Sequence, residues 1–170
     1  MIIKGIISED FVNYKKPSLV IEFPYCDFKC DKECGEPICQ NGSLIKEPNI
    51  NISYEDIIER YLANPITEAI VCQGLEPFDS MFDIISLILV LRWQYHCDDD
   101  FVIYTGYTKE ELTRNRETPQ SLAQFGNIII KYGRYIPNQT PHYDEVLGVN
   151  LASDNQYAER LWWFENKNNR

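Results

Sequence analysis

A chain of 170 residues with 44% apolar and 13% aromatic side chains can bury a core, which excludes a disordered or low-complexity protein. A net charge of −10 excludes non-specific nucleic-acid binding, because an acidic surface repels a polyanion and no Lys/Arg stripe offsets it. The longest apolar stretch, 84–91, is far too short for a membrane span, and Met1 to Ile7 does not read as a signal peptide. A cytoplasmic protein with reduced thiols is therefore expected, with no membrane partner.

In chain order, Ser18 to Phe23 (SLVIEF) predicts a buried strand that stops at Pro24. The cysteine segment follows and reads as a loop. Ser53, with Asp56 three residues on, marks a helix start, and Ile57, Ile58, Tyr61 and Leu62 give that helix one apolar face. Glu68 to Cys72 predicts a second strand, ending in the turn 73–77. Ser80 to Tyr95 predicts a helix, apolar nearly all round except for Asp83, Ser86 and Gln94. Phe101 to Tyr104 predicts a third strand, closed by Thr105-Gly106, and Thr108 with Glu111 caps another helix. Thr118-Pro119 starts a short helix that Gly126 stops, and Asn127 to Lys131 (NIIIK) predicts a fourth strand. Strands alternate with helices, so an α/β fold with a mostly parallel sheet is expected as a single domain over 1–170. In such sheets ligands sit beyond the carboxyl ends of the strands, where the three loops that follow strands should converge.

Four of the six cysteines, Cys26, Cys30, Cys34 and Cys39, fall within fourteen residues. In a reducing compartment such a group reads as a metal site before it reads as disulfides. Thiolates on irregular backbone suit an iron–sulfur cluster, and four thiolates also suit tetrahedral zinc. Cys-x3-Cys spacing leaves both open. Cys72 and Cys97 read as small buried hydrophobes, Asp98 to Asp100 as a solvated loop, and Trp162-Trp163-Phe164 as part of a short C-terminal tail at about 157–170.

The segment Cys26 to Cys30 with Cys39-Gln40-Asn41 resembles the cluster loop of radical S-adenosylmethionine enzymes. Closest are the activating proteins of anaerobic (class III) ribonucleotide reductases. Gln73-Gly74-Leu75-Glu76-Pro77 is similar to their Ser-Gly-Gly-Glu/Asp-Pro turn, and Tyr104-Thr105-Gly106-Tyr107 to their Trp/Tyr-Thr-Gly-Tyr segment. Tyr132-Gly133-Arg134-Tyr135 resembles Asp-Gly-Arg/Lys-Phe, and Ser153-Asp154-Asn155-Gln156 resembles Ser-Ser-Asn-Gln. The likeness runs in order from about Asn13 to Gln156; five weak motifs in sequence make a strong pattern.

The resemblance implies a partial (open) βα barrel of the radical-SAM type, a 4Fe–4S cluster and S-adenosylmethionine. It implies Cys26, Cys30 and Cys39 as metal ligands, with Cys34 the alternative third. Cys39 is preferred because Gln40-Asn41 follow it, which makes 31–38 an insertion. Asn41, Gly74, Glu76, Thr105, Gly106, Ser153 and Asn155 are the implied cofactor-binding residues, with Glu76 accepting from the methionyl ammonium and Gly74 letting the backbone approach closely. The implied activity is reductive cleavage of S-adenosylmethionine, fed by flavodoxin or ferredoxin, to leave a glycyl radical on the anaerobic reductase. Leu75 stands where the family has Gly and Tyr132 where it has an acid. Two other readings are a small radical enzyme acting on a small molecule, and a zinc or closed-cluster module.

Overall fold

The computed structural model describes residues 1–114 and 119–162. Strands β1 (Ile2–Ile3), β2 (Gly5–Asp10) and β3 (Ser18–Phe23) come first. Next are helix α1 (Lys29–Cys34), strand β4 (Ile50–Asn51) and helix α2 (Tyr54–Leu62). Then come β5 (Ala69–Gly74), α3 (Met81–Leu89), β6 (Asp100–Tyr104), α4 (Lys109–Arg114) and β7 (Ile128–Tyr132). The short strands β8 (His142–Asp144), β9 (Val149–Leu151) and β10 (Tyr157–Arg160) complete the described chain.

The class is α/β, around an open six-stranded sheet in the order β10-β7-β6-β5-β3-β2. Strands β3, β5, β6 and β7 run parallel and lie side by side in chain order. Crossovers of one hand that always step the same way put every connecting helix on one face. Side-chain alternation follows from this. Leu19, Ile21, Ile70, Cys72, Phe101, Ile103, Ile128 and Ile130 face the helices, packing on Ile57, Tyr61, Ile84, Leu87 and Leu91. Val20, Val71, Val102 and Ile129 face the other way, under Tyr14, Leu147 and Leu151. Burying one Ile or Leu is worth about 2 kcal/mol, so three such residues of α3 outweigh the cost of leaving Phe82 exposed.

The structure departs from the sequence reading in places that have physical causes. The sheet is mixed, because β2 and β10 pair antiparallel at its two edges. Strand β10 occupies the start of the expected C-terminal tail; its four residues give too short an alternation to read. Trp162 is exposed, while Trp163 and Phe164 lie outside the described residues. Both sequence-read caps form: Ser53 Oγ accepts from the Asp56 amide at 3.0 Å, and Thr108 and Glu111 bond each other reciprocally at 2.9 and 3.2 Å. The long helix 80–95 changes at Val90 into a π-helical turn. This turn sets buried Arg92 to donate to the carbonyls of Cys97, Asp99, Phe125 and Gly126. A 3-10 helix, Pro119–Phe125, replaces the expected short helix, whose Thr118 start lies outside the described residues.

The acidic run 98–100 is a solvated loop only at Asp98, which is exposed. Tyr61 OH donates to Asp99 at 2.5 Å, and Asp100 is buried as the first residue of β6. Lys16 and Arg160 pair with Asp100 at 2.7 and 2.8 Å, and Tyr14 OH donates to it at 2.9 Å. Burial alone would raise its carboxyl, yet the bonds from Arg160, Lys16 and Tyr14 hold it at about 2. A depressed native carboxyl adds stability above the unfolded value near 4, and that stability is lost as pH falls through 2. Asp100→Asn should therefore cost about 2 kcal/mol at pH 7 in urea unfolding, with the gap to wild type closing below pH 3.

Candidate metal centre and cofactor cavity

Beyond the carboxyl ends of β3, β5, β6 and β7 lies a cavity of about 300 Å³. Its first wall is the cysteine segment. After Phe23 the chain stays laced to the turn after β5: Leu75 N donates to Phe23 O at 3.3 Å and Glu76 N to Tyr25 O at 2.7 Å. This lacing sets Glu76 beside the start of the cysteine segment. Phe28 takes a left-handed conformation, φ 53°, and starts α1, so the segment is partly helical and not the loop expected.

Asp31 explains how the insertion is tolerated. Its Oδ1 accepts from the amides of Ile38 and Cys39 at 2.9 and 2.8 Å, which folds the excursion back on itself. Cys39 thus returns to the cavity wall with Cys26 and Cys30. Cys34, at the outer end of α1, is exposed and does not line the cavity. Four charges fix α1 to the body. Lys29 pairs with Glu111, and Arg134 holds Glu111 at 2.9 Å and Glu33 at 3.4 Å. Burial would raise the Glu111 carboxyl, but Lys29, the Thr108 amide and Arg134 hold it down at about 2.

The second wall is Glu76, only 4% exposed. Its Oε1 accepts from Thr105 Oγ1 at 2.7 Å and from Phe78 N at 3.1 Å, and its Oε2 from Gly106 N at 2.8 Å. One carboxylate therefore ties the ends of β5 and β6 together. Burial outweighs these three donors and raises its pKa to about 7. Asn41 Nδ2 donates to Gly74 O at 3.0 Å, joining the residue after the cysteines to the same turn.

Gly74 is also needed by the fold itself. Its φ is +104°, and a Cβ there would stand 2.7 Å from the Phe23 amide, so the glycine allows close approach of β3. Gly74→Ala should cost about 3 kcal/mol or more in denaturant unfolding, since both strain and overlap oppose it. Leu75 keeps a negative φ, as its side chain requires.

Asn41, Gly74, Glu76, Thr105 and Gly106 all line the cavity with the three cysteines. Ser153 and Asn155 do not; they brace it from behind. Ser153 Oγ accepts from Ile136 N at 3.4 Å, and Asn155 Nδ2 donates to Arg134 O at 3.0 Å. Tyr132, in place of an acid, is a core residue whose hydroxyl donates to Glu159 at 3.1 Å. The sequence reading missed Gln73, Tyr104 and Lys131, which line the cavity on the sheet face turned away from the helices. A lysine ending the apolar run NIIIK was the one available signal.

The donor set fits a cluster. Burial raises the Cys26 thiol to about 11, and burial with Cys39 and Asp31 beside it raises Cys30 to about 12. These thiols hold their protons at neutral pH until a metal displaces them, and metal binding then releases acid. Among the described residues no three His, Cys, Asp or Glu side chains close on a single-ion point. A cluster makes no such demand, since each thiolate sits on its own iron.

The molecule is thus an α/β protein with a thiol-lined cavity at the carboxyl edge of a mostly parallel sheet. Residues 19–156 match the 4Fe-4S single cluster domain, and the chain belongs to that family. It is an iron–sulfur, metal-binding protein, and such a centre suits redox chemistry. No curated protein and no solved structure matches it. Among the described residues no helix is long and apolar enough to cross a membrane.

Proposed function

We propose that this protein is a radical S-adenosylmethionine enzyme that activates an anaerobic ribonucleotide reductase by generating its glycyl radical. The observation that carries the reading is that three cysteines and a buried carboxylate share one cavity beyond the strand ends. The stepwise order of β3, β5, β6 and β7, with helices on one face, agrees with an open βα barrel of the radical type. Cys26, Cys30 and Cys39 would hold a 4Fe–4S cluster by three corners. When bound, the cluster and S-adenosylmethionine would supply reductive sulfonium cleavage and the radical chemistry needed to remove a hydrogen atom from a glycine of the partner.

The chain's own residues bind, orient and exclude water. Glu76 has accepted three hydrogen bonds and keeps lone-pair capacity for one more donor, which the methionyl ammonium fills. Thr105 and Gly106 spend their donors on Glu76, so they aim that carboxylate and do not meet the cofactor through those groups. The acidic surface favours a basic face on the reductase, and a flavodoxin- or ferredoxin-type protein would supply the electron in a cytoplasmic setting.

The deciding experiment is anaerobic reconstitution with iron and sulfide, followed by a low-potential reductant and S-adenosylmethionine. Formation of 5′-deoxyadenosine, and a glycyl radical signal once the reductase is added, is the expected result. One equivalent of zinc per chain and no 5′-deoxyadenosine would sink the reading. Deoxyadenosine with no radical on the reductase would point instead to a small-molecule substrate.

A further inference from the structure

Helix α3 is apolar on the side that the sheet does not cover. Ile84, Leu87 and Ile88 of α3, with Leu91 of the π-helical turn, pack into the core. On the opposite side Phe82, Ser86, Leu89 and Trp93 follow one another at helical spacing. Phe82 is 80% and Trp93 71% exposed, and Ser86 and Leu89 are half-buried. The stripe is uncharged and about 16 Å long, roughly three turns. A helix apolar all round belongs in an interior, and aromatic rings are enriched at the cores of protein interfaces. The two flanks of the stripe differ. Successive crossovers set α3 between α2 and the 3-10 helix Pro119–Phe125. On the α2 flank Asp83 accepts from Tyr54 OH at 2.7 Å and Glu59 from Tyr95 OH at 3.0 Å, with Glu55 one turn before Glu59. Arg60 of α2 is turned away to Ser8 Oγ at 2.6 Å, and Arg92 is buried among carbonyls. The other flank shows the exposed, uncharged amides of Gln120 and Gln124.

We propose that the outer face of α3 is the docking site for a partner protein's amphipathic helix, one whose apolar side is bordered along one edge by lysine or arginine. Shape and charge together select this occupant. Three turns of helix match the length of the stripe, and apolar anchors one turn apart meet Phe82, Leu89 and Trp93. The basic edge then meets Glu55, Glu59 and Asp83, and because the other flank is uncharged, the helix can lie only one way round. A second copy of this chain brings acids instead, and at a net charge of −10 it is repelled before the two stripes meet. The short 3-10 turn Pro77–Ser80 joins Glu76 to α3, which sets the Phe82 end toward the cavity edge of the sheet and the Trp93 end toward the opposite edge. A partner seated here approaches the rim of the cavity without entering it. The inference therefore stands independently of the chemistry done in the cavity.

Two synthetic helical peptides of about 18 residues test this, sharing one leucine face and edged by lysine in the first and by glutamate in the second. In isothermal titration against the full chain, the lysine peptide should bind saturably, and at least about tenfold more tightly than the glutamate peptide. Phe82→Ser combined with Trp93→Ser should weaken the lysine peptide at least about tenfold. Urea unfolding of that variant should stay near wild type, because both rings are exposed. Glu55→Lys combined with Glu59→Lys should reverse the preference between the two peptides. Lysine-peptide affinity that survives the loss of both rings would mean that charge alone holds the peptide, and it overturns the proposal. Equal binding of the two peptides, or binding of neither, does the same. Sedimentation equilibrium gives the remaining check. A wild-type dimer that the double serine variant turns into a monomer would make a second copy the occupant, and the proposal falls.

Discussion

Cys39→Ala should leave a folded protein that no longer holds its cluster, while Cys34→Ala should reconstitute to about four irons per chain like wild type. The asymmetry comes from the backbone. Asp31 accepts from the Ile38 and Cys39 amides, so the segment between Cys30 and Cys39 closes on itself and delivers Cys39 to the wall. Cys34 stays at the solvent end of α1, and its helix is held in place by Arg134 and Glu33. Reaching the cavity would require breaking that ion pair and unwinding α1. Iron and sulfide analysis with the visible absorption of the cluster reads the outcome directly, and 5′-deoxyadenosine formation should follow the iron. Loss of iron in Cys34→Ala with retention in Cys39→Ala would reverse the ligand assignment. Asp31→Ala supplies a second check. Freed of its anchor, Cys39 should bind iron less firmly, so that the cluster is lost faster to a chelator although every cysteine remains.

Much of this arrangement was legible from residue order, and the gaps have reasons. The four parallel strands announced themselves because a strand buried on both faces is apolar throughout, as SLVIEF, EAIVC and NIIIK are. The caps at Ser53 and Thr108 were readable because they are local, needing only residues three apart. Edge strands β2 and β10 were not readable: one face of each meets solvent, and Gly5 and Glu159 dilute what alternation remains. The burial of Asp100 was hidden for a different reason. Its partners Lys16, Arg160 and Tyr14 are remote in sequence, and a run of three acids looks solvated until the fold brings cations to it. In the site, Cys26, Cys30, Cys39, Asn41 and Glu76 line one cavity, Cys26 and Glu76 because each follows a strand and Cys39 because Asp31 folds the segment back. Motif matching also gave Ser153 and Asn155 the rank of contact residues, whereas they hold up the wall behind it. Lys131 fell in no motif, so only its place in three dimensions revealed it.

Glu76→Gln should fold and bind the cluster yet lose S-adenosylmethionine affinity by about 10- to 100-fold, the worth of one charge-assisted hydrogen bond of about 1.5–3 kcal/mol. The amide retains the shape that spans Thr105, Phe78 and Gly106, but one of its two ends now presents donors to donors. Some loss of stability, about 1–3 kcal/mol, is therefore expected alongside the lost affinity. The pH dependence separates the electrostatic part from the structural part. In the empty protein burial puts the Glu76 pKa at about 7. Because a cationic amine prefers the carboxylate, binding must expel that proton at lower pH. Affinity should therefore fall about tenfold per unit below pH 7, level off above it, and stay flat across this range in Glu76→Gln. Stability of the empty protein should move oppositely. A native pKa raised above the unfolded value near 4.5 contributes stability that is complete below 4.5 and is lost as pH rises through 7, by up to about 3 kcal/mol. Acid thus favours the empty fold through this residue while alkali favours the complex. Isothermal titration of binding and urea unfolding, each run from pH 5.5 to 8.5 on both proteins, would read the two slopes. An affinity profile identical in wild type and Glu76→Gln would mean that the buried carboxylate serves only as a clasp between strand ends, and the ammonium must be met elsewhere.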